Sequence, residues 1–241
     1  MSMHSIGSVM RAAIMQPYLF PYYLYWLLIQ QTDTFVIFDN VNFKKKGFIN
    51  RNYSFNDGTK KRFTLELQKS SQNKLIGEIN LCIGQDKLIS FMRNQYKSCP
   101  NFHQVFPFLE DILLFRNVNL AFFLANSIQK TCDYLDIRTK VVLASSLLSQ
   151  YHNLKGQDKI LSICKLLGAN EYLNLPGGRV LYDKSEFNMR NIDLDFLAPC
   201  DGEEVSNMVN NFQECTIVDL IMNVPRKTLI DFFNMPRKQI P

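Results

Sequence analysis

Pro17 and Pro21 bracket Tyr18-Leu19-Phe20 directly after the apolar run Ala12-Ala13-Ile14-Met15 and Gln16. A proline fixes φ and has no N–H to donate, so a strand cannot run on past Gln16. A helix can begin only where Pro21 takes a first helical position. Strand, stiff loop and helix must follow in that order. The helix is read over residues 22–31, with Tyr22, Tyr25, Trp26 and Ile29 at helical spacing on one face. A second apolar run, Phe35 to Phe38, is β-branched and aromatic and ends on Asp39. If the two strands are parallel, Gln16 to Tyr18 and Asp39 emerge on the sheet edge at which open α/β folds hold their ligands.

The rest of the chain keeps alternating. Asn50 to Phe55 and Arg62 to Leu67 flank Asn56-Asp57-Gly58 and read as a hairpin. After the polar stretch Lys69 to Lys74 and a short strand over 79–83, helices are expected over 87–98, 104–115 and 119–135. The last of these buries Leu120, Phe123, Leu124, Ile128, Cys132 and Leu135. A strand over 140–144 leads through a polar loop to a helix over 156–167 that Gly168 stops. A strand over 172–175 then ends at Pro176-Gly177-Gly178, followed by a short helix, a strand over 192–196 and helical segments at 218–222 and 227–233. Strands joined by helices of this length need right-handed crossovers. The fold class is therefore α/β: a mainly parallel sheet covered by helices, with a hairpin near 50–67 and a helical middle section. At 241 residues and 46% hydrophobic composition, one domain over 1–241 suffices, with a core over 10–223 and residues 1–9 and 235–241 peripheral.

Such a topology gathers Gln16 to Tyr18, Asp39, Ser145-Ser146 and Pro176 to Arg179 on one edge, and each residue type there has a use and an ordinary alternative. Gln16 and Tyr18 offer neutral hydrogen bonds and a stacking face for a sugar ring or base, with Pro17 stiffening the chain between them. Asn50 and Arg51 suit a sugar or phosphate, since a guanidinium grips an oxyanion bidentately and an amide both donates and accepts. The alternative is an arginine that pins its own loop to Asp39 or to a carbonyl. Gly177-Gly178 lets backbone N–H groups approach a ligand, or merely makes a tight turn. Asp39, the sole carboxylate at a predicted strand end, takes a proton from an attacking amine or hydroxyl, or closes an Asx turn. Lys45, inside Lys44-Lys45-Lys46, complements a diphosphate.

The formal charge of +5 is gathered in Lys44 to Lys46 and Lys60 to Arg62 rather than in a continuous stripe. Two short clusters cannot follow a long backbone, so small phosphorylated ligands are expected and nucleic acid is not. The six cysteines, at 82, 99, 132, 164, 200 and 215, have no C-x-x-C spacing and fit reduced thiols. Cys132 and Cys164 lie on apolar helical faces and read as core. The three histidines, at 4, 103 and 152, lack the spacing of a metal site, so no metal is expected. Neither a phosphate loop nor a Gly-x-Gly-x-x-Gly fingerprint, a Ser-His-Asp order or a pyridoxal motif is visible, so no cofactor is expected. Residues 1–9 lack the core of a signal peptide, and no apolar run approaches the ~20 residues of a membrane span. A cytoplasmic protein without a membrane span is expected, with homo-oligomerisation left open.

Read together, Ile14-Met15-Gln16-Pro17-Tyr18, Pro21, Tyr25, Asp33, Phe35-Val36-Ile37, Asp39-Asn40-Val41, Phe43, Lys45 and Asn50-Arg51-Asn52 resemble the opening signature of the WbqC-like proteins. The likeness continues through Gln95-Tyr96, Pro100 to Phe102, Leu166 to Ala169, Tyr172 to Gly178 and Thr216 to Asp219. Where members of that family usually show a Tyr-x-Gln element, this chain has Pro199-Cys200-Asp201-Gly202-Glu203-Glu204-Val205. The resemblance implies a role in bacterial O-antigen (lipopolysaccharide) or other surface-polysaccharide assembly, hence sugar modification, with glycyl transfer among the implied activities. The expected function is a transferase that moves an acyl or aminoacyl group, glycyl included, onto a nucleotide- or lipid-linked amino sugar. Asp39 would act as base, with Lys45, Asn50 and Arg51 on phosphate or carboxylate. The alternative class is a non-catalytic protein that binds a phosphorylated sugar intermediate and presents it to a partner glycosyltransferase.

Overall fold

The computed structural model describes residues 9–147, 154–199, 202–235 and 239–240. The elements in chain order begin with β1 (Arg11–Met15), α1 (Tyr23–Gln30), β2 (Thr34–Ile37), β3 (Arg51–Ser54), β4 (Lys61–Thr64), β5 (Leu67–Gln68) and β6 (Asn80–Leu81). There follow α2 (Asp86–Tyr96), α3 (Phe102–Leu113), α4 (Leu120–Tyr134), β7 (Lys140–Leu143), α5 (Ala144–Leu147), α6 (Gly156–Leu167) and β8 (Glu171–Asn174). A 3-10 turn over Pro176–Leu181, α7 (Lys184–Asn188), β9 (Asp193–Leu197), α8 (Glu203–Ser206), α9 (Ile217–Asn223), α10 (Arg226–Asn234) and β10 (Gln239–Ile240) complete it.

The main sheet has the order β10-β9-β8-β1-β2-β7. Strands β9, β8, β1, β2 and β7 are parallel, and β10 pairs antiparallel with β9 through Gln239 and Ile240. The α/β class, the parallel sheet and the hairpin of β3 and β4 match the sequence expectation. Local details differ from it, two of them in the first crossover. Pro21 does not open α1: Tyr22, extended at φ −76 and ψ 170, is the N-cap, so Pro21 ends the loop before the cap. Helix α1 is also buried on nearly all sides, with Tyr23, Tyr25, Trp26, Leu27, Leu28 and Ile29 inside, because the middle-section helices cover the face that a two-layer fold would leave to water.

The sheet separates two cores. Ala13, Phe35, Ile37 and Leu173 face the larger one with α1, α2, α3, α4, α9 and α10. Ala12, Ile14, Val36, Tyr172 and Leu194 face the smaller one with α6 and Phe187 of α7. Consecutive β1 residues thus point into different cores, as the strand period of two requires. The crossover β1-α1-β2 runs to one side and β8-α7-β9 to the other, and their helices lie on opposite faces. Strand order therefore reverses between β1 and β8. Cys132 and Cys164 sit in the two cores, where burial pushes both thiols up to about 12, far from reactive thiolates.

The segment Thr216 to Asp219 ties the layers together. Asp219 is buried, and its Oδ1 accepts from the Phe55 N–H at 3.0 Å and the Tyr96 hydroxyl at 2.7 Å. Its Oδ2 accepts from the Thr216 N–H and hydroxyl, both at 2.8 Å, closing a capping box on α9. One carboxylate thus joins the hairpin, α2 and α9. Burial pushes its pKa up while the donated bonds pull it down. Nearby, the Ile217 N–H donates to the Pro21 carbonyl, so the same segment also holds the loop before α1.

Candidate functional site

Strands β1 and β8 pair only at Arg11 with Glu171 and Ala12 with Tyr172. Beyond that point β1 stays with β2 as far as Met15, and β8 stays with β9 as far as Asn174. The two strands therefore part towards their C-terminal ends at the place where strand order reverses. The Arg11 guanidinium holds them together at the other end, with Nε 2.6 Å from Glu171 Oε2. The opening is a cavity of about 620 Å3 whose walls include Met15 at the end of β1 and Gln16 after it, Phe38 after β2, and Asn174 at the end of β8 with Leu175 to Gly178 after it, with Tyr18, Tyr22, Lys44 and Tyr182 around them. A crevice at this position is the usual ligand site of a doubly wound sheet.

The Asn174 amide organises the β8 wall. Its Oδ1 accepts from the Leu175 N–H at 2.7 Å and its Nδ2 donates to the Tyr172 hydroxyl at 3.1 Å. That hydroxyl lies 3.5 Å from the Ile14 carbonyl, which β8 no longer pairs, and 3.3 Å from the Tyr182 hydroxyl. Burial raises the pKa of both tyrosines, so both are neutral hydrogen-bonding groups at physiological pH. The two glycines differ in kind. A Cβ on Gly178 would lie 2.9 Å from Asn174 Nδ2, whereas one on Gly177 would meet nothing within 4 Å. Gly178→Ala should therefore cost about 1–3 kcal/mol by displacing Asn174, while Gly177→Ala should leave the urea midpoint within error. Equal midpoints for the two variants would refute this account of the wall.

The loop from Gln16 to Pro21 forms the opposite wall and is fixed from behind. Pro17 and Pro21 are buried, the Tyr25 hydroxyl donates to the Gln16 carbonyl at 3.1 Å, and Trp26 Nε1 donates to the Pro21 carbonyl at 3.0 Å. Asn52 Nδ2 donates to the Leu19 and Phe20 carbonyls at 3.0 and 3.1 Å, across a Phe20 held at φ 47. That left-handed backbone is costly for a phenylalanine and persists only where neighbours enforce it. The result is a rigid wall that presents Gln16 and Tyr18, with Pro17 as a buried spacer outside the cavity lining.

Other expected site residues lie around the cavity rather than in it. Asp39 is 2% exposed; its Oδ1 accepts from the Ser145 N–H at 2.9 Å and its carbonyl from the Gly77 N–H at 3.0 Å. Asp39 and Ser145 are on the predicted edge, but they meet each other, fastening β2 to the start of α5. The buried Lys159 ammonium donates to the Asn40 carbonyl at 2.7 Å; burial lowers its pKa and the Asp39 charge opposes that. Asn50, 8% exposed, donates to the Leu65 carbonyl at 2.9 Å, and the Arg51 guanidinium donates to the Lys45 carbonyl at 3.1 Å. Arg51 thus holds the lysine loop, and Lys44 rather than Lys45 lines the cavity. Among the described residues, no group of three or more His, Cys, Asp or Glu could share a metal ion, and no helix is long and apolar enough to cross a membrane.

Residues 16–230, from the polar end of β1 to the last helix, match the profile of one protein family. The chain belongs to the WbqC-like protein family. It is also 25% identical over 221 residues to the uncharacterized protein Rv1507c of Mycobacterium tuberculosis (strain ATCC 25618 / H37Rv), covering 89% of this chain and 94% of that protein. No solved structure matches. Within this WbqC-like chain the cavity also uses Asn174, Tyr182, Tyr22 and Lys44, which sequence reasoning did not select. Asn174 had a signal, a polar residue closing an otherwise apolar strand before Leu-Pro-Gly-Gly. Tyr182 had none, because its position depends on the turn that follows. The segment in which this chain lacks the Tyr-x-Gln element brings Pro199 to the cavity wall, while Cys200 and Asp201 lie outside the described residues.

Proposed function

We propose that the β1–β8 cavity binds a phosphorylated sugar, nucleotide- or lipid-linked, as substrate of an acyl or aminoacyl transfer in surface-polysaccharide assembly, glycyl transfer included. One observation carries the binding step: the strands part at the switch point into a cavity where, among the described lining residues, Lys44 is the one cation and none is a carboxylate. Such a lining favours an anion, and the amides of Gln16 and Asn174 and the hydroxyls of Tyr18, Tyr22 and Tyr182 suit sugar hydroxyls. Arg51 supports the reading indirectly, through its bond to the Lys45 carbonyl in the loop that carries Lys44. Titration calorimetry with nucleotide-linked amino sugars should show binding that Lys44→Ala weakens by about tenfold or more. An unchanged affinity in Lys44→Ala would remove the phosphate from this cavity.

A second reading, a non-catalytic binding protein, is favoured by a specific feature of the same lining. Among its described residues there is neither a carboxylate nor a histidine to take the proton that an amine must lose on acylation. Asp39, proposed as that base, is 2% exposed and stands outside that lining. Incubation with nucleotide-linked amino sugars and activated acyl donors, read as a mass increment, separates the readings. Product that falls roughly a hundredfold in Asp39→Asn supports the transferase with Asp39 as base. Saturable binding without product for any donor supports the binding protein.

A further inference from the structure

We infer that the ligand is nucleotide-linked rather than lipid-linked, its base lying in an aromatic cleft that shares a wall with the switch-point cavity; this rests on the cavity reading above. Tyr18 and Tyr22 line both spaces. On their far side a cleft of about 320 Å3 is completed by Phe48, Tyr53 and Phe55. Of these five aromatic residues the Lys60 ammonium sits over two rings, those of Tyr53 and Phe55, leaving Tyr18, Tyr22 and Phe48 as the stacking surface for a heterocyclic base.

The polar groups of the cleft match that occupant. Lys60 Nζ lies 4.8 Å from the Tyr53 ring centroid, 4.9 Å from that of Phe55 and 3.2 Å from Glu214 Oε2, so its charge is already paired within the cleft wall. The Gln213 amide at the rim can donate to and accept from a base edge. A polyprenyl tail would gain nothing from the amide or from the ion pair. The order along the groove also fits one extended molecule: the base among the rings, the phosphates past Tyr18 and Tyr22 towards Lys44, and the sugar at Asn174 and the glycine wall. Phe48 is 49% exposed. Its carbonyl accepts the Leu19 N–H at 3.0 Å, so its backbone is tied to the fixed loop that carries Tyr18.

The test compares uridine diphosphate, thymidine diphosphate and inorganic pyrophosphate as probes on the wild type, Phe48→Ala and Lys44→Ala, with melting curves as a folding control. The inference expects both nucleoside diphosphates to bind at least tenfold more tightly than pyrophosphate. Phe48→Ala should remove most of that advantage while leaving pyrophosphate affinity unchanged, as loss of one stacked ring does, whereas Lys44→Ala should weaken all three probes. If Phe48→Ala leaves nucleoside diphosphate affinity within twofold while Lys44→Ala still weakens every probe, the base assignment fails and the cavity reading stands. If Lys44→Ala affects none of the probes, both fail.

Discussion

Asp219→Ala is expected to lose about 3–5 kcal/mol of stability. The alanine leaves the buried Thr216 N–H and the part-buried Phe55 N–H without an acceptor, each worth about 1–3 kcal/mol, and frees the Tyr96 and Thr216 hydroxyls as well. Asp219→Asn should also cost about 2 kcal/mol, because each carboxylate oxygen faces one backbone donor and an amide NH2 must oppose one of them. For a domain of this size the alanine change corresponds to a melting temperature lower by on the order of 10 °C. Urea unfolding of the two variants checks the ranking. An alanine variant as stable as the wild type would show that the hairpin, α2 and α9 are held together by packing alone.

Asn52→Asp should cost about 2–4 kcal/mol and weaken every ligand of the cavity. The substitution keeps size and shape but replaces an NH2 that donates to two carbonyls with an anion that faces them, at a site 8% exposed. Freed from Asn52, Phe20 can leave its left-handed backbone and Tyr18 then loses its fixed position. The readout is paired: a lower urea midpoint, and residual affinity that does not recover when the measurement is moved to low temperature where all molecules are folded. A variant of full stability would show that the prolines alone set the loop.

The contrast between Asn50, Arg51 and Asn52 shows what the sequence could and could not reveal. All three are polar residues in one short motif, and their chemistry is equally suited to a ligand. Which of them turns inward depends on strand parity and on the carbonyls the side chain meets, that of Leu65 for Asn50 and those of the Leu19-Phe20 corner for Asn52, and neither is encoded within the motif. The strand–loop–helix order was legible because prolines and apolar runs act locally. The convergence of Gln16, Tyr18 and Gly177 on one edge was legible because parallel topology follows from helical connections. Asp39 reached that same edge, but the close approach of Gly77 and Ser145, from two distant segments, determines that its carboxylate is buried. Lys44 was distinguishable from Lys45 only through the Arg51 bond that fixes the loop.

Gly177→Asp tests the central claim most directly. Its Cβ has open space on the cavity wall, so the fold should be untouched while a negative charge enters the lining. Melting curves of the wild type and Gly177→Asp should coincide, and titration calorimetry with a nucleotide-linked amino sugar should show an affinity at least tenfold weaker in the variant. The same affinity in both proteins would contradict a phosphorylated ligand between β1 and β8.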